Sequence, residues 1–332
     1  MKLSYDPRWL GPTGIGAVAA ALIKRKPVHV ELLPLKYEGK ISDPLSPLKL
    51  GAELRSLKTD VFWSPGFIAP FHPRTPDVVT VHDLIHLHYY SWGHKAYYNY
   101  ILKNLYEKCS KIITVSECTK KELIAWGGFK PEKIEVIYNA VEQSFNVDVI
   151  PVSLGYPYIF YAGNRRGYKN IFRMIEAYAL SKLPSLGIKL LLSGKLDDDL
   201  RKMMQQFAVN GMVETSGFIQ DEDLPRYYKG ATAIVYISLY EGFGLPILEG
   251  MATGVPVITS DLSCMPEIAG GAALLVDPLD VRAIATAMNR IVDDSDLRAG
   301  LINAGLNRAK DFSWNQSSEK FWNIIDEVGK NE

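Results

Sequence analysis

The sequence predicts an α/β protein built from two doubly wound, parallel-sheet domains. The chain has 332 residues, more than one hydrophobic core usually organises. Short β-branched or aliphatic runs alternate with amphipathic stretches, as in parallel sheets covered by helices. This alternation begins twice, once on each side of Glu142–Pro157, a segment with two prolines and no helical period.

Eleven segments are predicted as strands because they are short, apolar and bounded by turn residues. In chain order they are Lys2–Tyr5, Val28–Leu33, Val61–Ser64, Val78–Val81, Ile112–Ser116, Glu135–Tyr138, Tyr158–Ala162, Lys189–Ser193, Ala233–Ser238, Pro256–Thr259 and Ala273–Val276.

The predicted domain limits follow from this pattern. Residues 1–145 form an N-terminal domain, residues 146–312 a C-terminal domain, and residues 313–332 a final helix. The final helix is indicated by Trp314, Phe321 and Ile325 at roughly helical spacing. We expect it to pack back on the N-terminal domain.

The composition is that of a globular protein, 47% apolar and 22% charged. No apolar run reaches the roughly eighteen residues that span a bilayer. The three cysteines show no C-x-x-C spacing, which suits a reducing compartment, so we expect a cytoplasmic location. Net charge is zero, but residues 1–145 hold 19 Lys and Arg against 14 Asp and Glu, leaving 18 against 23, so the halves carry +5 and −5.

The densest chemical pattern is E-G-F-G-L-P-I-L-E, Glu241–Glu249, which follows a predicted strand. Its glycines permit tight turns, and Pro246 suits the first position of a helix predicted over Ile247–Thr253. The free amides at a helix N-terminus, together with the helix dipole, form an anion site. A plain strand-to-helix turn with solvated glutamates is the alternative.

The chemistry of this segment suits a diphosphate with a hydroxyl pair, such as a ribose diol, beside it. The amides of Phe243, Gly244 and Leu245 are placed to hold a diphosphate without a metal. Glu249, which we place in the first helical turn, is suited to accept hydrogen bonds from a ribose diol.

The same segment resembles the retaining glycosyltransferase family four, in which two glutamates are separated by seven residues. The flanks A-T-A-I-V-Y-I-S-L-Y and G-M-A-T-G-V-P-V-I-T-S look equally like that family. The resemblance covers almost the entire chain and implies the GT-B fold, two Rossmann-like domains facing across a cleft. It also implies that Glu241 lies beside the transferred sugar and that Glu249 binds the nucleotide ribose.

A second cluster, Y-A-G-N-R-R-G-Y-K-N, follows the first strand of the second half. Arg165, Arg166 and Lys169 lie at a strand's carboxyl end, where open α/β sheets bind ligands. Cations there would neutralise a leaving diphosphate in place of magnesium, and a basic surface turn is the alternative. The family resembles this segment but usually has arginine directly after the glycine. Asn164 holds that place here, so the resemblance favours Arg165 and Lys169 and leaves Arg166 open.

Near the N-terminus, P-T-G-I-G over Pro12–Gly16 precedes an apolar helix. Gly14 and Gly16 let the backbone approach a phosphate closely, and in the resembled family this loop faces the donor diphosphate and the acceptor. The same letters fit the dinucleotide fingerprint G-x-G-x-x-A with Glu31 downstream. That match is weak because a true fingerprint follows its strand at once, whereas about eight residues separate Tyr5 from Gly14.

His82 and Asp83 directly follow the predicted strand Val78–Val81. The family has a histidine after this strand that contacts the donor sugar, so the resemblance assigns the sugar to His82, with Asp83 as an orienting or acceptor contact. A satisfied structural histidine is the alternative. His86 and His88 complete a local cluster that suggests a metal, but no carboxylate and cysteine pattern supports one, and we predict no metal site.

Residues Tyr89 to Lys108 are predicted to be helical and interleave seven aromatic residues with three lysines. A membrane interface, a cover for an amphiphilic acceptor and a helix packed with its aromatics all fit this pattern.

The acidic run Asp197–Asp199 contains a D-x-D, a metal–nucleotide motif of an unrelated transferase fold. We predict instead the N-terminal turn of a helix, where acids are favourable.

With the resemblance, these elements predict a retaining, metal-independent glycosyltransferase. It is expected to move a hexose, mannose first, from a nucleotide sugar to a glycan or polyprenyl-linked acceptor in cell-surface polysaccharide or glycolipid synthesis. By resemblance the donor, GDP-mannose, is a co-substrate bound mainly by the C-terminal domain, and the acceptor is bound by the N-terminal domain. No cofactor and no nucleic acid is expected. Peripheral contact of the N-terminal domain with the cytoplasmic membrane face is a further expectation.

No enzyme nucleophile is evident, so we expect the acceptor to attack on the leaving-group face through an oxocarbenium-like transition state. The alternatives are a dinucleotide-dependent oxidoreductase and a nucleotide-sugar binding protein without turnover.

Overall fold

The computed structural model describes residues 1–11 and 13–330 and divides into two compact units. Unit 1 comprises Met1–Asn139 with Ser313–Glu332, and unit 2 comprises Ala140–Phe312. Each unit contains one parallel sheet of six strands with helices around it. The predicted fold class is therefore confirmed.

Strands and helices alternate along the chain. The strands are β1 Lys2–Tyr5, β2 Glu31–Pro34, β3 Val61–Ser64, β4 Asp77–Val81, β5 Lys111–Thr114, β6 Ile134–Val136, β7 Tyr158–Tyr161, β8 Lys189–Leu192, β9 Val213–Thr215, β10 Ala233–Tyr236, β11 Val257–Ser260 and β12 Leu274–Val276. The helices are α1 Gly14–Lys24, α2 Ser46–Leu54, α3 Ile85–Tyr89, α4 Trp92–Tyr97, α5 Lys103–Lys108, α6 Glu117–Gly127, α7 Ile171–Leu180, α8 Asp198–Gln206, α9 Leu224–Gly230, α10 Leu245–Ala252, α11 Met265–Ala269, α12 Val281–Asp293, α13 Ser295–Ala309 and α14 Trp314–Lys330.

The sheet of unit 1 has the order β2-β1-β3-β4-β5-β6, with every neighbouring pair parallel. Strands β3 and β4 are buried along their whole length, which explains why most of their residues are apolar. The strand order reverses between β1 and β3, and ligands of open α/β sheets bind at the strand carboxyl ends near such a reversal.

Helix α14, the predicted C-terminal helix, packs within unit 1 against α1 and β3. The ring of Phe321 lies edge-on to Trp63, with 4.7 Å between centroids, and the Trp322 indole donates to the Leu22 carbonyl at 3.3 Å. Unit 1 is thus completed by a segment that follows unit 2 in the sequence.

The sheet of unit 2 has the order β12-β11-β10-β7-β8-β9, also all parallel. Its strand order reverses between β7 and β10, so the loops after these two strands lie side by side at the carboxyl edge. These are the loops that carry Lys169 and Glu241.

The predicted strands differ from the observed ones by one or two residues at several ends, and the largest differences are at β9 and at the start of β2. Strand β9 was not predicted, because its three residues, V-E-T, include one buried apolar side chain and no alternation long enough to detect. Strand β2 begins at Glu31 and not at Val28, since a turn places the Val30 amide 3.1 Å from the Pro27 carbonyl and leaves Val28 fully exposed.

The helix predicted over 89–108 is interrupted. It breaks between α3 and α4, and a π-helical turn at Tyr98–Leu102 joins α4 to α5. Buried Tyr98, Leu102 and Tyr106 pack this segment onto the β4 side of the sheet. By contrast, the D-x-D run begins a helix as predicted, with the Asp197 carboxylate accepting from the Leu200 amide.

None of the helices in the described parts of the chain combines the length and apolarity needed to cross a bilayer.

Candidate active site

The ion pair between Lys169 and Glu241 is the centre of the candidate site in unit 2. The Lys169 amine lies 2.6 Å from Glu241 Oε1 and donates to the Tyr236 hydroxyl at 3.0 Å. It also lies over the Tyr236 ring, 5.1 Å from the centroid, which adds a cation–π contact. Lys169 is buried, and a buried ammonium is stable only when its charge is compensated. The Glu241 carboxylate provides this compensation.

Asn170 fixes the position of Lys169. It adopts a left-handed conformation at φ +62°, a region that asparagine tolerates better than most residues. Its side-chain amide donates to the Ile237 carbonyl at 3.2 Å and to the Pro278 carbonyl at 2.7 Å. The loop after β7 is therefore tied to the end of β10, which brings the two halves of the ion pair together.

Ser263 holds the backbone of Glu241 from the other side. Its hydroxyl accepts from the Glu241 amide at 3.2 Å and donates to the Glu241 carbonyl at 2.6 Å. Ser263 has φ +59°, and the next residue, Cys264, donates its thiol to the Phe243 carbonyl at 2.8 Å. The loop after β11 thus contacts the Glu241–Phe243 backbone at two successive residues.

Glu249 lies on the fifth residue of α10 and so beyond the first turn in which we had placed it. The helix begins at Leu245, two residues before the predicted start, because Gly244 at φ +105° caps it. The Tyr228 hydroxyl donates to Glu249 Oε2 at 2.5 Å. Burial raises the pKa of the Glu249 carboxyl to about 7, although the hydrogen bond from Tyr228 lowers it.

The start of α10 presents backbone amides at the strand ends. Among the described residues, the Gly244 and Leu245 amides have no hydrogen-bond acceptor. A side chain at position 244 would have to adopt φ +105° and would place its Cβ 3.1 Å from Ile247 Cδ1, so glycine is required. Helix geometry and dipole both favour an anion at this point.

Arg165 occupies the neighbouring strand end. Its guanidinium donates to the Ser193 carbonyl at 3.1 Å, to the Lys195 carbonyl and to Asp197 Oδ2 at 2.7 Å. With the exposed Arg166 it lines an open cavity of about 410 Å³ at the ends of β7 and β8. The Asp197 pKa is lowered by the Leu200 amide and by Arg165, so the pair is ionised.

In unit 1, His82 follows β4 as predicted. Its Nε2 lies 2.9 Å from the Pro65 carbonyl, which can only accept, so Nε2 carries the proton and Nδ1 is the acceptor in the neutral ring. Burial lowers the His82 pKa against the effect of this bond, which keeps the ring neutral. Asp83 accepts from the amide of Ile85, the first residue of α3, at 3.0 Å.

Gly14 and Gly16 lie in the first turn of α1, where the backbone around Gly16 is closely packed. The Thr13 hydroxyl accepts from the Gly16 amide at 3.0 Å and caps the helix. A Cβ at Gly16 would meet the Gly11 carbonyl oxygen at 2.1 Å, whereas a Cβ at Gly14 would meet open space. Pro12 of this motif lies outside the described residues. The dinucleotide alternative is not supported, because Glu31 begins β2 and so lies at the opposite edge of the sheet from the strand carboxyl ends.

The structure thus brings Lys169, Glu241 and the start of α10 together and leaves Arg165 in its own cluster. Sequence reasoning missed Tyr236, Tyr228 and Ser263. Tyr236 and Tyr228 resemble ordinary core aromatics in the sequence, and no local pattern marks Ser263. Within residues 1–11 and 13–330, no three His, Cys, Asp or Glu side chains are grouped so as to hold a metal ion.

The fold is of the GT-B type, as comparison with solved structures shows. Sucrose-phosphate synthase from Thermosynechococcus elongatus has a TM-score of 0.77 at 18% identity, with 98% of each chain covered. Anabaena HepE, solved with UDP and glucose, has a TM-score of 0.77 at 16% identity, covering 98% of this chain and all of that one. WaaG, a glycosyltransferase of lipopolysaccharide biosynthesis, has a TM-score of 0.75 at 14% identity over 98% of this chain and 99% of its own.

Sequence comparison identifies the family. The family model described as Glycosyltransferase Family 4 matches residues 4–145, and that described as Glycosyl transferases group 1 matches residues 143–308. O-antigen chain mannosyltransferase B of Escherichia coli is 32% identical over 89% of this chain and 79% of its own. O-antigen chain mannosyltransferase RfbU of Salmonella typhimurium is 31% identical over 64% of this chain and 60% of its own. The chain belongs to glycosyltransferase family four, and it is a glycosyltransferase.

Proposed function

We propose that this enzyme transfers mannose from GDP-mannose, with retention and without a metal, to a glycan or polyprenyl-linked acceptor in cell-surface polysaccharide or glycolipid synthesis. The observation that carries the proposal is the Lys169–Glu241 pair beside the glycine-capped start of α10. It combines a cation and free amides for a diphosphate with a carboxylate for sugar hydroxyls. The choice of mannose is supported by the names of the two relatives.

Donor binding follows from the charges of the site. A diphosphate carries more negative charge than a carboxylate, so it competes with Glu241 for the Lys169 amine. The amides of Gly244 and Leu245 take further phosphate oxygens, and Arg165 adds a cation from the next strand end. Glu249 keeps Oε2 on Tyr228, which leaves Oε1 for the ribose diol.

The chemical step breaks the bond between sugar C1 and the diphosphate oxygen. The acceptor hydroxyl oxygen bonds to C1 on the same face, and its proton passes to the departing phosphate, so the anomeric configuration is retained. Glu241 holds sugar hydroxyls once the diphosphate occupies Lys169, and His82 contributes Nδ1 as an acceptor from the sugar. The positive charge around the leaving group stabilises the transition state more than the bound donor.

The experiment that tests this function is a thermal-shift titration of the whole chain with GDP, UDP, ADP and NAD, followed by a donor panel of GDP-mannose and UDP-glucose. We expect the largest stabilisation with GDP and turnover of GDP-mannose. A larger stabilisation by UDP would mean that the donor carries uracil in place of guanine. A response to NAD alone would contradict the transferase proposal, and binding without donor turnover would indicate a nucleotide-sugar binding protein.

Metal independence is tested separately. Lys169, Arg165 and the start of α10 supply the positive charge that Mg²⁺ supplies to phosphates in other enzymes. We expect full transfer activity in EDTA. Loss of activity that magnesium restores would reject this part of the proposal.

A peripheral membrane contact at the cytoplasmic face is favoured by one surface of unit 1. Trp92, Tyr100 and Ile101 are exposed there beside Lys95, and residues 84–106 contain no acidic side chain. Such a surface suits an anionic lipid headgroup region. We expect co-sedimentation with vesicles containing phosphatidylglycerol and not with pure phosphatidylcholine, and less of it in Trp92→Ala. Equal behaviour of both vesicle types would remove this contact.

A further inference from the structure

Tyr236 is a residue of the candidate site to which none of the steps above gives a role. It is the last residue of β10, a strand between β7 and β11, and its backbone carbonyl accepts from the Thr259 hydroxyl at 2.7 Å. Its side chain is buried, and its ring stacks on that of Tyr161 with 6.3 Å between centroids and 19° between planes. Tyr236 is therefore fixed by the sheet, whereas Lys169 and Glu241 lie in the segments that follow strands.

The Tyr236 hydroxyl lies beside both charges of the ion pair. It accepts from the Lys169 amine at 3.0 Å, and the same amine lies 2.6 Å from Glu241 Oε1. Burial raises the pKa of Tyr236 well above its usual range, and the Glu241 carboxylate raises it further through its charge and a hydrogen bond. The hydroxyl therefore keeps its proton for the carboxylate and offers its lone pairs to the ammonium.

The Tyr236 ring also borders the start of α10. A Cβ at Gly244 would lie 3.8 Å from Tyr236 Cε1, so the ring is close to the backbone where the helix begins. The segment after β10 is bonded to the loop that carries Lys169, because the Leu239 amide donates to the Tyr168 carbonyl at 2.7 Å. Tyr236 thus lies next to both the cation and the helix start that we assign to the diphosphate.

The Lys169 ammonium has to change partners when the donor binds. Within residues 1–11 and 13–330, its amine bonds to the side chains of Glu241 and Tyr236 alone. In the proposed function the diphosphate replaces Glu241 at this amine, and Glu241 turns to sugar hydroxyls. The lysine stem is flexible, so the position of the ammonium then depends on the partner that it keeps, which is Tyr236. Without the hydroxyl, the ammonium and the carboxylate would draw together, away from the donor.

We propose that Tyr236 is a positioning residue, whose hydroxyl holds the Lys169 ammonium at the departing diphosphate while Glu241 binds the sugar; this rests on the proposed function. The hydroxyl acts through the ammonium and does not itself contact the reacting atoms. Negative charge on the diphosphate grows as its bond to the sugar breaks. A displaced ammonium therefore costs more in the transition state than in the bound donor complex.

The first test compares the rate with nucleotide binding. Tyr236→Phe keeps the ring against Tyr161 and removes the hydroxyl alone. We expect kcat with GDP-mannose to fall about 10-fold, because hydrogen bonds to charged groups are the stronger ones, while the Kd for GDP changes less than about twofold in calorimetric titration. Tyr178→Phe is the matched control, since it removes another buried hydroxyl of unit 2, which donates to the Ile188 carbonyl at 2.7 Å, and should leave kcat unchanged.

A double-mutant cycle separates positioning from a structural role. If the hydroxyl acts through the ammonium, Tyr236→Phe should lower kcat about 10-fold in the wild type but less than about twofold in Lys169→Met. Methionine keeps an unbranched side chain and removes the charge. A loss by the same factor in both backgrounds would show that Tyr236 acts through the fold or directly on the substrate, and it would overturn the inference.

Hydrolysis of GDP-mannose without acceptor gives a further measurement. The bond between sugar and diphosphate breaks in this reaction too, so Tyr236→Phe should slow it by a similar factor. Normal hydrolysis together with slow transfer would assign Tyr236 to the acceptor and overturn the inference. If the wild type turned over no nucleotide sugar, the proposed function would fail and this inference with it. Wild-type turnover with an unaffected Tyr236→Phe would reject the inference alone.

Discussion

The strand ends of the two sheets differ in how their polar groups are paired. In unit 2 charged groups pair with side chains, as Lys169 does with Glu241 and Arg165 with Asp197. In unit 1 the predicted residues bond to backbone: His82 to a carbonyl and Asp83 to an amide. Beside them lie stacked aromatic rings, among them those of His86 and Tyr98.

This difference matches two kinds of ligand. Charges held in place before binding suit an anion, because their orientation costs nothing at the moment of binding. A neutral histidine and aromatic faces suit a neutral, hydroxyl-rich molecule. This contrast is what we expect if the anionic donor binds to unit 2 and the acceptor to unit 1, as we predict.

The largest expected effect is at Lys169. Lys169→Ala removes the cation for the diphosphate, and we expect kcat with GDP-mannose to fall about 10²- to 10³-fold. It also leaves the Glu241 carboxylate partly buried without its partner, so urea unfolding should show a less stable protein. Lys169→Met with Glu241→Gln should recover the stability and not the activity. Wild-type activity of Lys169→Ala would contradict the assignment of the charged pair in unit 2 to the diphosphate.

The next effect is at His82. His82→Ala removes the Nδ1 acceptor and should lower transfer about 10- to 100-fold, with GDP affinity unchanged, because we assign His82 to the transferred sugar and not to the nucleotide. Transfer assays and GDP titration measure the two quantities. Loss of GDP affinity equal to the loss of transfer would show that His82 acts on the nucleotide or on the fold.

A smaller effect is expected from Glu249 and depends on pH. An ionised carboxylate accepts a stronger hydrogen bond from the ribose than a protonated carboxyl does, so GDP affinity should rise as pH increases through the Glu249 pKa of about 7. Glu249→Gln should bind GDP more weakly at high pH and lose this rise. Tyr228→Phe removes a hydrogen bond that lowers this pKa and should move the rise to higher pH. A pH-independent wild-type affinity would reject the assignment.

The same group affects folding with a definite sign. The folded pKa is raised above the ordinary value of 4.5, so the folded protein keeps a proton that the unfolded chain releases. Between these two pH values stability should therefore fall as pH rises. Glu249→Gln should abolish this part of the decline, measured as the free energy of unfolding at several pH values.

The smallest effect on transfer is expected in the glycine loop. Gly14→Ala meets open space, so it should leave the melting temperature unchanged and weaken the donor only severalfold if a phosphate approaches there. Gly16→Ala places a methyl group against the Gly11 carbonyl oxygen and should destabilise the protein by about 1–3 kcal/mol. Equal stability of the two variants would contradict this packing.

The sequence was most informative where chemistry and structure are both local. Buried strands such as β3 and β7 were predicted from short apolar runs, because a parallel sheet covered on both faces needs them. The D-x-D run was predicted as a helix start from the preference of acids for that end. Strand β9 was missed because its pairing with β8, and not its own three residues, makes it a strand.

The candidate site was predicted less completely. Lys169 and Glu241 were each identified as candidates, but their ion pair joins positions 72 residues apart and depends on β7 and β10 being neighbours. Arg165 was identified as a cation, and its pairing with Asp197 could not be anticipated from either motif. The roles of these residues toward the donor stay predictions.

The double hydrogen bond of Ser263 to Glu241 has a mechanical consequence. Together with the hydrogen bond from the Cys264 thiol to the Phe243 carbonyl, it attaches the loop after β11 to the Glu241–Phe243 backbone at two residues. We therefore expect a shift of this loop to shift that backbone as well. Substitutions in that loop should therefore change the position of the Glu241 carboxylate. Variation in residues 261–264 offers a way to alter the orientation of the Glu241 carboxylate while the residue itself stays a glutamate.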